Sequence, residues 1–123
     1  MTQDFFLKHK DAINAAIAKS NVQYAASSGA GTNTVVHCYY VTTKNVRVSA
    51  YVIKHKKTDV VYKHILKVMV THGSKNQPMV SSAQDTGKYA KKIFNTLSAK
   101  YDEQISRTQL KHNWRNQAFV NKR

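Results

Sequence analysis

The chain reads as an α+β domain: an antiparallel sheet of three to four strands with two helices on one face, in the order α-β-β-β-α, plus a basic helix at the C-terminal end. Three observations predict this. Apolar residues recur at helical spacing near both ends, two β-branched and aromatic runs alternate at period two in the middle, and a polar tip separates those runs. No repeat, low-complexity tract or linker divides residues 1–123, so a single domain is expected.

The first helix is expected over Asp4–Ala26, where Phe6, Ile13, Ala16, Ile17, Ser20 and Tyr24 fall along one side. Thr2 or Asp4 is placed to cap it, and the small-residue loop Ser27–Asn33 stops it. That loop contains Gly29-Ala30-Gly31 but follows a helix and opens a strand, the reverse of a phosphate cradle. A first strand spans Thr34–Thr43, with Val35, Val36, Tyr39, Tyr40 and Val41, and its buried face is left open by the pattern.

The central hairpin runs from Val46 to Val70 and organises the rest. Val46, Val48, Ala50 and Val52 share one face of its first strand, matched by Tyr62, Leu66, Val68 and Val70 on the second, and these are expected to be buried. The opposite face carries Arg47, Ser49, Tyr51 and His55, then Lys63, Ile65, Lys67 and Met69. The tip adds Lys54, Lys56 and Lys57, opposed locally only by Asp59. After a polar loop holding the only proline, Pro78, Met79-Val80 is read as a short edge strand.

Helical rhythm returns from Ser82, with Tyr89, Ile93, Leu97, Tyr101 and Ile105 four apart. Ser106-Arg107-Thr108-Gln109 fits a capping box, which predicts a break near Ser106 and a third helix to about Val120 with Leu110, Trp114 and Ala118 inward. One long helix from Asp85 is the alternative.

Charge narrows the function. Twenty Lys and Arg against six Asp and Glu give a net charge of +14, of which only +3 lies in residues 1–50. Self-repulsion of that size destabilises a compact domain, so a polyanionic partner is expected: DNA, RNA or an acidic protein surface. A lone cysteine, Cys38, and the lack of a charged-then-apolar leader predict a reducing, cytoplasmic setting. No apolar run approaches the ~20 residues of a membrane span. An edge strand can pair with a second copy, so monomer and homodimer both fit.

The phosphate-gripping residues expected are Lys54, Lys56, Lys57, Lys63 and Lys67 on the hairpin and Lys88, Lys91 and Lys92 at the start of the second helix. Lysines there oppose the helix dipole, a conflict that a bound anion would relieve. Arg47 joins them on the sheet, and Tyr51 offers a ring on which an unpaired base can stack. In the C-terminal stretch Arg107, Lys111 and Arg115 form a stripe flanked by Gln109 and Asn116, side chains whose paired donors and acceptors match base edges. A solvated face is the plain alternative, but such faces usually mix signs.

The order of elements resembles the double-stranded-RNA-binding domain, and Gly87-Lys88-Tyr89-Ala90-Lys91-Lys92 is similar to that family's lysine-rich helix start. The resemblance implies recognition of an A-form duplex by shape, with Lys88, Lys91 and Lys92 on phosphates. Here Ala83-Gln84-Asp85-Thr86 stands where the family has a glycine-serine pattern.

Two other functions compete. One is a small inhibitor or adaptor, of the mobile-element type, whose basic face docks on an acidic or nucleic-acid-handling protein. The other is a metal-independent ribonuclease using His72, His55 or His64 as proton carriers. Six histidines without finger-like spacing predict no metal site and no cofactor. Asp85-Thr86-Gly87 matches the aspartic-protease tripeptide but lacks a preceding hydrophobic strand, so Asp85 or Ser82 is read as a helix cap. The domain is expected to bind nucleic acid without catalysing a reaction.

Overall fold

The computed structural model describes the backbone of residues 2–28 and 33–121 and the side chains of 4–28 and 33–108. Two short helices, α1 (Thr2–Lys8) and α2 (Lys10–Lys19), precede five strands: β1 (Gln23–Ser28), β2 (Thr34–Thr42), β3 (Val46–His55), β4 (Val61–Gly73) and β5 (Pro78–Asp85). A 34-residue helix, α3 (Lys88–Asn121), follows. The sheet is an antiparallel meander in the order β1-β2-β3-β4-β5, with each strand beside its neighbours in sequence.

Five strands therefore replace the three to four expected: β1 is taken largely from a stretch read as helix, and β5 extends the short edge strand read at Met79-Val80 into residues read as the start of a helix. Tyr24 continued the row of Ile13 and Ile17, and two alanines kept the stretch helix-compatible. The chain instead leaves α2 at Ser20, whose ψ of 147° is extended, and Gln23–Ser28 pairs along β2. Tyr24 then lies opposite Tyr39, with their rings 5.0 Å apart, so tertiary packing overrides local propensity. At the other edge Met79-Val80 is part of an eight-residue strand in which Ser81, Ala83 and Asp85 are half-buried and alternate with exposed residues. Their small side chains hid the period.

The third correction concerns the C-terminal half. No break occurs at Ser106: α3 runs through it, Thr108 Oγ1 donates to the Gln104 carbonyl within the helix, and Arg107 pairs with Glu103 one turn back. The capping-box residues sit inside a continuous helix. The inward placement of Leu110, Trp114 and Ala118 lies outside the described side chains. With two N-terminal helices, five strands and one long helix, the order also departs from that of the double-stranded-RNA-binding domain.

The central hairpin has the faces its alternation predicts: Val46, Val48 and Ala50 lie opposite Val70, Val68 and Leu66, all buried. Tyr62 is the exception, 70% exposed at the hairpin end beyond a register shift at Ile53/Lys54. Asp59 closes that end at φ 60°, a left-handed conformation that aspartate tolerates better than most residues. Gly73 has φ 94°, and a Cβ there would lie 2.7 Å from the Gln77 carbonyl oxygen, so the β4–β5 turn requires glycine.

One core lies on one face of the sheet. Phe6, Ile13, Ala16, Ile17 and Val22 arrive from the N-terminal side, and Ala90, Ile93 and Leu97 from α3. Two polar ties fix α3 in place. Lys100 Nζ donates to the carbonyls of Ile17, Ala18 and Ser20, capping the end of α2. Gln104 both accepts from and donates to the backbone of Val22, at 2.7 and 3.2 Å. Asp85, the residue of the protease tripeptide, accepts from the amides of Gly87 and Ala90 and caps the start of α3.

Candidate nucleic-acid interface

Because all three helices serve one face, the other face of the sheet carries no helix among the described residues. Alternation through the two central ladders decides what it presents: Val36, Cys38 and Tyr40 on β2, Arg47, Ser49, Tyr51 and Ile53 on β3, and Lys63, Ile65, Lys67 and Met69 on β4. No aspartate or glutamate side chain stands on that face in any described strand. The centre is organised by two cation–aromatic pairs, with the Arg47 guanidinium 5.4 Å from the Tyr40 ring centroid and the Lys67 ammonium 5.5 Å from that of Tyr51. Between them Ser49 is only 4% exposed.

Two titratable acids of this face are pushed towards their neutral forms. Burial raises the Tyr51 phenol above its ordinary range, and the neighbouring Cys38 adds to the shift. Burial likewise pushes the Cys38 thiol up, against weaker opposing effects from Tyr51, Arg47 and Lys67. The charge of the face is therefore that of Arg47, Lys63 and Lys67.

The remaining predicted residues are dispersed. Lys54 pairs weakly with Asp59 at 3.9 Å and, with Lys91 of α3, acts on His64 on the helix side of the sheet. Lys56 and Lys57 are exposed at the hairpin tip. Lys88 and Lys92 line a groove between α3 and the α1–α2 side, away from Lys91's partner His64. The helix start thus divides its three lysines between the groove and the neighbourhood of His64. Arg107 is held by Glu103 at 2.6 Å, and the side chains of Gln109, Lys111, Arg115 and Asn116 lie outside the described residues. One residue was missed, Tyr40. The adjacent pair Tyr39-Tyr40 was the available signal, because in a strand one must face the core and the other must not.

The three histidines read as proton carriers are separated from one another, although the His72 ring lies 6.4 Å from that of His9. His64 packs against Phe94 at 5.3 Å, whereas His72 is roughly 27 Å further along β4 and bonds Ser81 Oγ at 2.7 Å. His55 contacts Tyr62. No group of three potential metal ligands occurs among the described residues. Nor is any described helix long and apolar enough to cross a membrane.

Burial holds His64 below its ordinary range, with Lys91 and Lys54 adding to the effect, and burial followed by Lys8 and His72 does the same to His9. The unfolded chain therefore binds more protons than the folded one between the depressed values and about 6.5. The stabilisation is present above that pH and is lost as pH falls through the folded values. Thermal midpoints should decline from neutral pH towards pH ~5, and His64→Gln should flatten the decline; an unchanged slope would mean that His64 is not among the groups responsible.

No protein-family model, curated protein or solved structure matches this chain.

Proposed function

We propose that the chain binds single-stranded nucleic acid on the bare face of its sheet and grips it without catalysing a reaction on it. The observation that carries this reading is the carboxylate-free face with Tyr40 and Tyr51 at its centre, each beside a cation. Aromatic rings on a broad sheet cannot enter the stacked interior of a duplex, but they can receive bases already unpaired. On binding, a base takes the position over the ring and the displaced Arg47 or Lys67 swings to the adjoining phosphate. Lys63 extends the cationic row along β4 towards Lys56 and Lys57 at the tip.

Fluorescence anisotropy with labelled oligothymidylate, oligouridylate and matching duplexes, each across a salt series, tests this. Single strands should bind more tightly than duplexes, with log K falling by about 0.7 per phosphate contacted for each decade of salt. Tyr40→Ala and Tyr51→Ala should each weaken binding by ~1–3 kcal/mol while leaving the salt slope intact, since stacking releases no counterions. Affinity that is flat in salt, or a preference for duplex, would remove the reading.

A further inference from the structure

On the opposite side of the molecule a groove of about 940 Å³ lies between α3 and the α1–α2 side. Its floor is apolar, made by Phe6, Ile17, Tyr89 and Ile93, with the Phe6 and Tyr89 rings 5.0 Å apart. Leu7 stands on the rim, 71% exposed. The α3 residues along it run from Lys88 to Glu103, roughly 22 Å of helix or four turns.

The charges at this groove do not cancel. Both of its acids are engaged internally, Asp85 with the amides of Gly87 and Ala90 and Glu103 with Arg107. Lys100 is turned onto the carbonyls at the end of α2. Lys10, Lys88 and Lys92 remain, and none of them makes an ion pair among the described residues.

We infer that this groove docks an acidic amphipathic helix of a partner protein, with its apolar stripe on Phe6, Leu7, Ile17 and Ile93 and its carboxylates against Lys10, Lys88 and Lys92. A helix is the occupant that fits. The walls are themselves helices, whose backbone groups are already paired, so an extended peptide would find no edge and would bury its own amides unsatisfied. A helix carries its hydrogen bonds with it, and about four turns match the groove's length. A nucleic-acid strand gains little from an aliphatic rim, and the sheet face on the far side offers it aromatic rings instead. The inference does not rest on that reading of the sheet.

The test is selection, on the immobilised full-length protein, of a displayed library of helices about four turns long, with one apolar stripe fixed and the flanking positions randomised. Enriched clones should carry Asp and Glu in the flanks. Synthesised as peptides, they should lose at least tenfold in affinity with Leu7→Glu and with Lys92→Glu, and be indifferent to Arg47→Glu on the sheet. Matched thermal midpoints for these variants exclude unfolding as the cause. Three results would overturn the inference: no enrichment of amphipathic over scrambled sequences, flanks with no acidic bias, or binding untouched by both groove variants. Binding of phosphatidylserine vesicles that Leu7→Glu abolishes, with no helix enriched, would assign the groove to lipid instead.

Discussion

Replacing Arg47 and Lys67 together by glutamate is expected to weaken single-strand binding about a hundredfold, at least tenfold per position, while the protein stays folded. Both side chains are exposed on the bare face and neither makes an ion pair among the described residues, so their reversal strands no buried charge. Each lost phosphate contact should flatten the salt slope by about 0.7, a change that partial unfolding alone does not mimic. Stability supplies a second sign. A chain of net charge +14 is under self-repulsion, so two reversals should leave the thermal midpoint unchanged or raise it. Added salt should likewise raise stability while weakening binding. Reversal of Lys10 and Lys88 in the groove is the matched control for net charge alone. If it weakens single strands as much as the sheet pair does, binding follows overall charge and the sheet face has no special part in it.

How much of this could be read beforehand depended on whether a residue's local pattern had a rival. The hairpin was legible because Val46, Val48 and Ala50 alternate with Arg47, Ser49 and Tyr51, and no helical stripe fits that order. The same alternation placed Arg47, Tyr51, Lys63 and Lys67 together. β1 was not legible, because Tyr24-Ala25-Ala26 satisfies both periods and only the Tyr24–Tyr39 contact, together with the hydrogen bond between Tyr24 and His37, decides between them. β5 was legible only at Met79-Val80, since Ser81, Ser82, Ala83 and Gln84 give almost no hydrophobic contrast. The helix start at Gly87 shows the limit for sites. Lys91 and Lys92 are adjacent in the chain, yet successive helix positions are about 100° apart, so Lys91 acts on His64 while Lys92, with Lys88 one turn back, lines the groove. Adjacency on a helix is not adjacency in space, whereas on a strand every second residue does share a face.

Leu97→Ala should cost ~2–5 kcal/mol, a large share of the 5–15 kcal/mol typical of a domain. Leu97 is fully buried in the row Ala90, Ile93, Leu97 with which α3 closes the core against the sheet. Alanine is the best helix former, so the loss cannot come from backbone propensity and must come from the cavity and the contacts removed. Lys100 and Gln104 lie just beyond and hold α3 to the end of α2 and to Val22, which limits how far the helix can settle inward to refill the space. That restraint places the expected loss in the upper half of the range. Urea titration should show a lower midpoint at an unchanged m-value. Leu7→Ala, on an exposed side chain, should move the midpoint by no more than a few tenths of a kcal/mol. A Leu97→Ala loss below ~1 kcal/mol would mean that α3 does not seal the core. The cavity opens beneath the helix-covered side of the sheet, so the folded fraction of Leu97→Ala should bind single strands with wild-type affinity. A variant that loses stability but not affinity, set beside one that loses affinity but not stability, separates the two faces of the sheet by measurement.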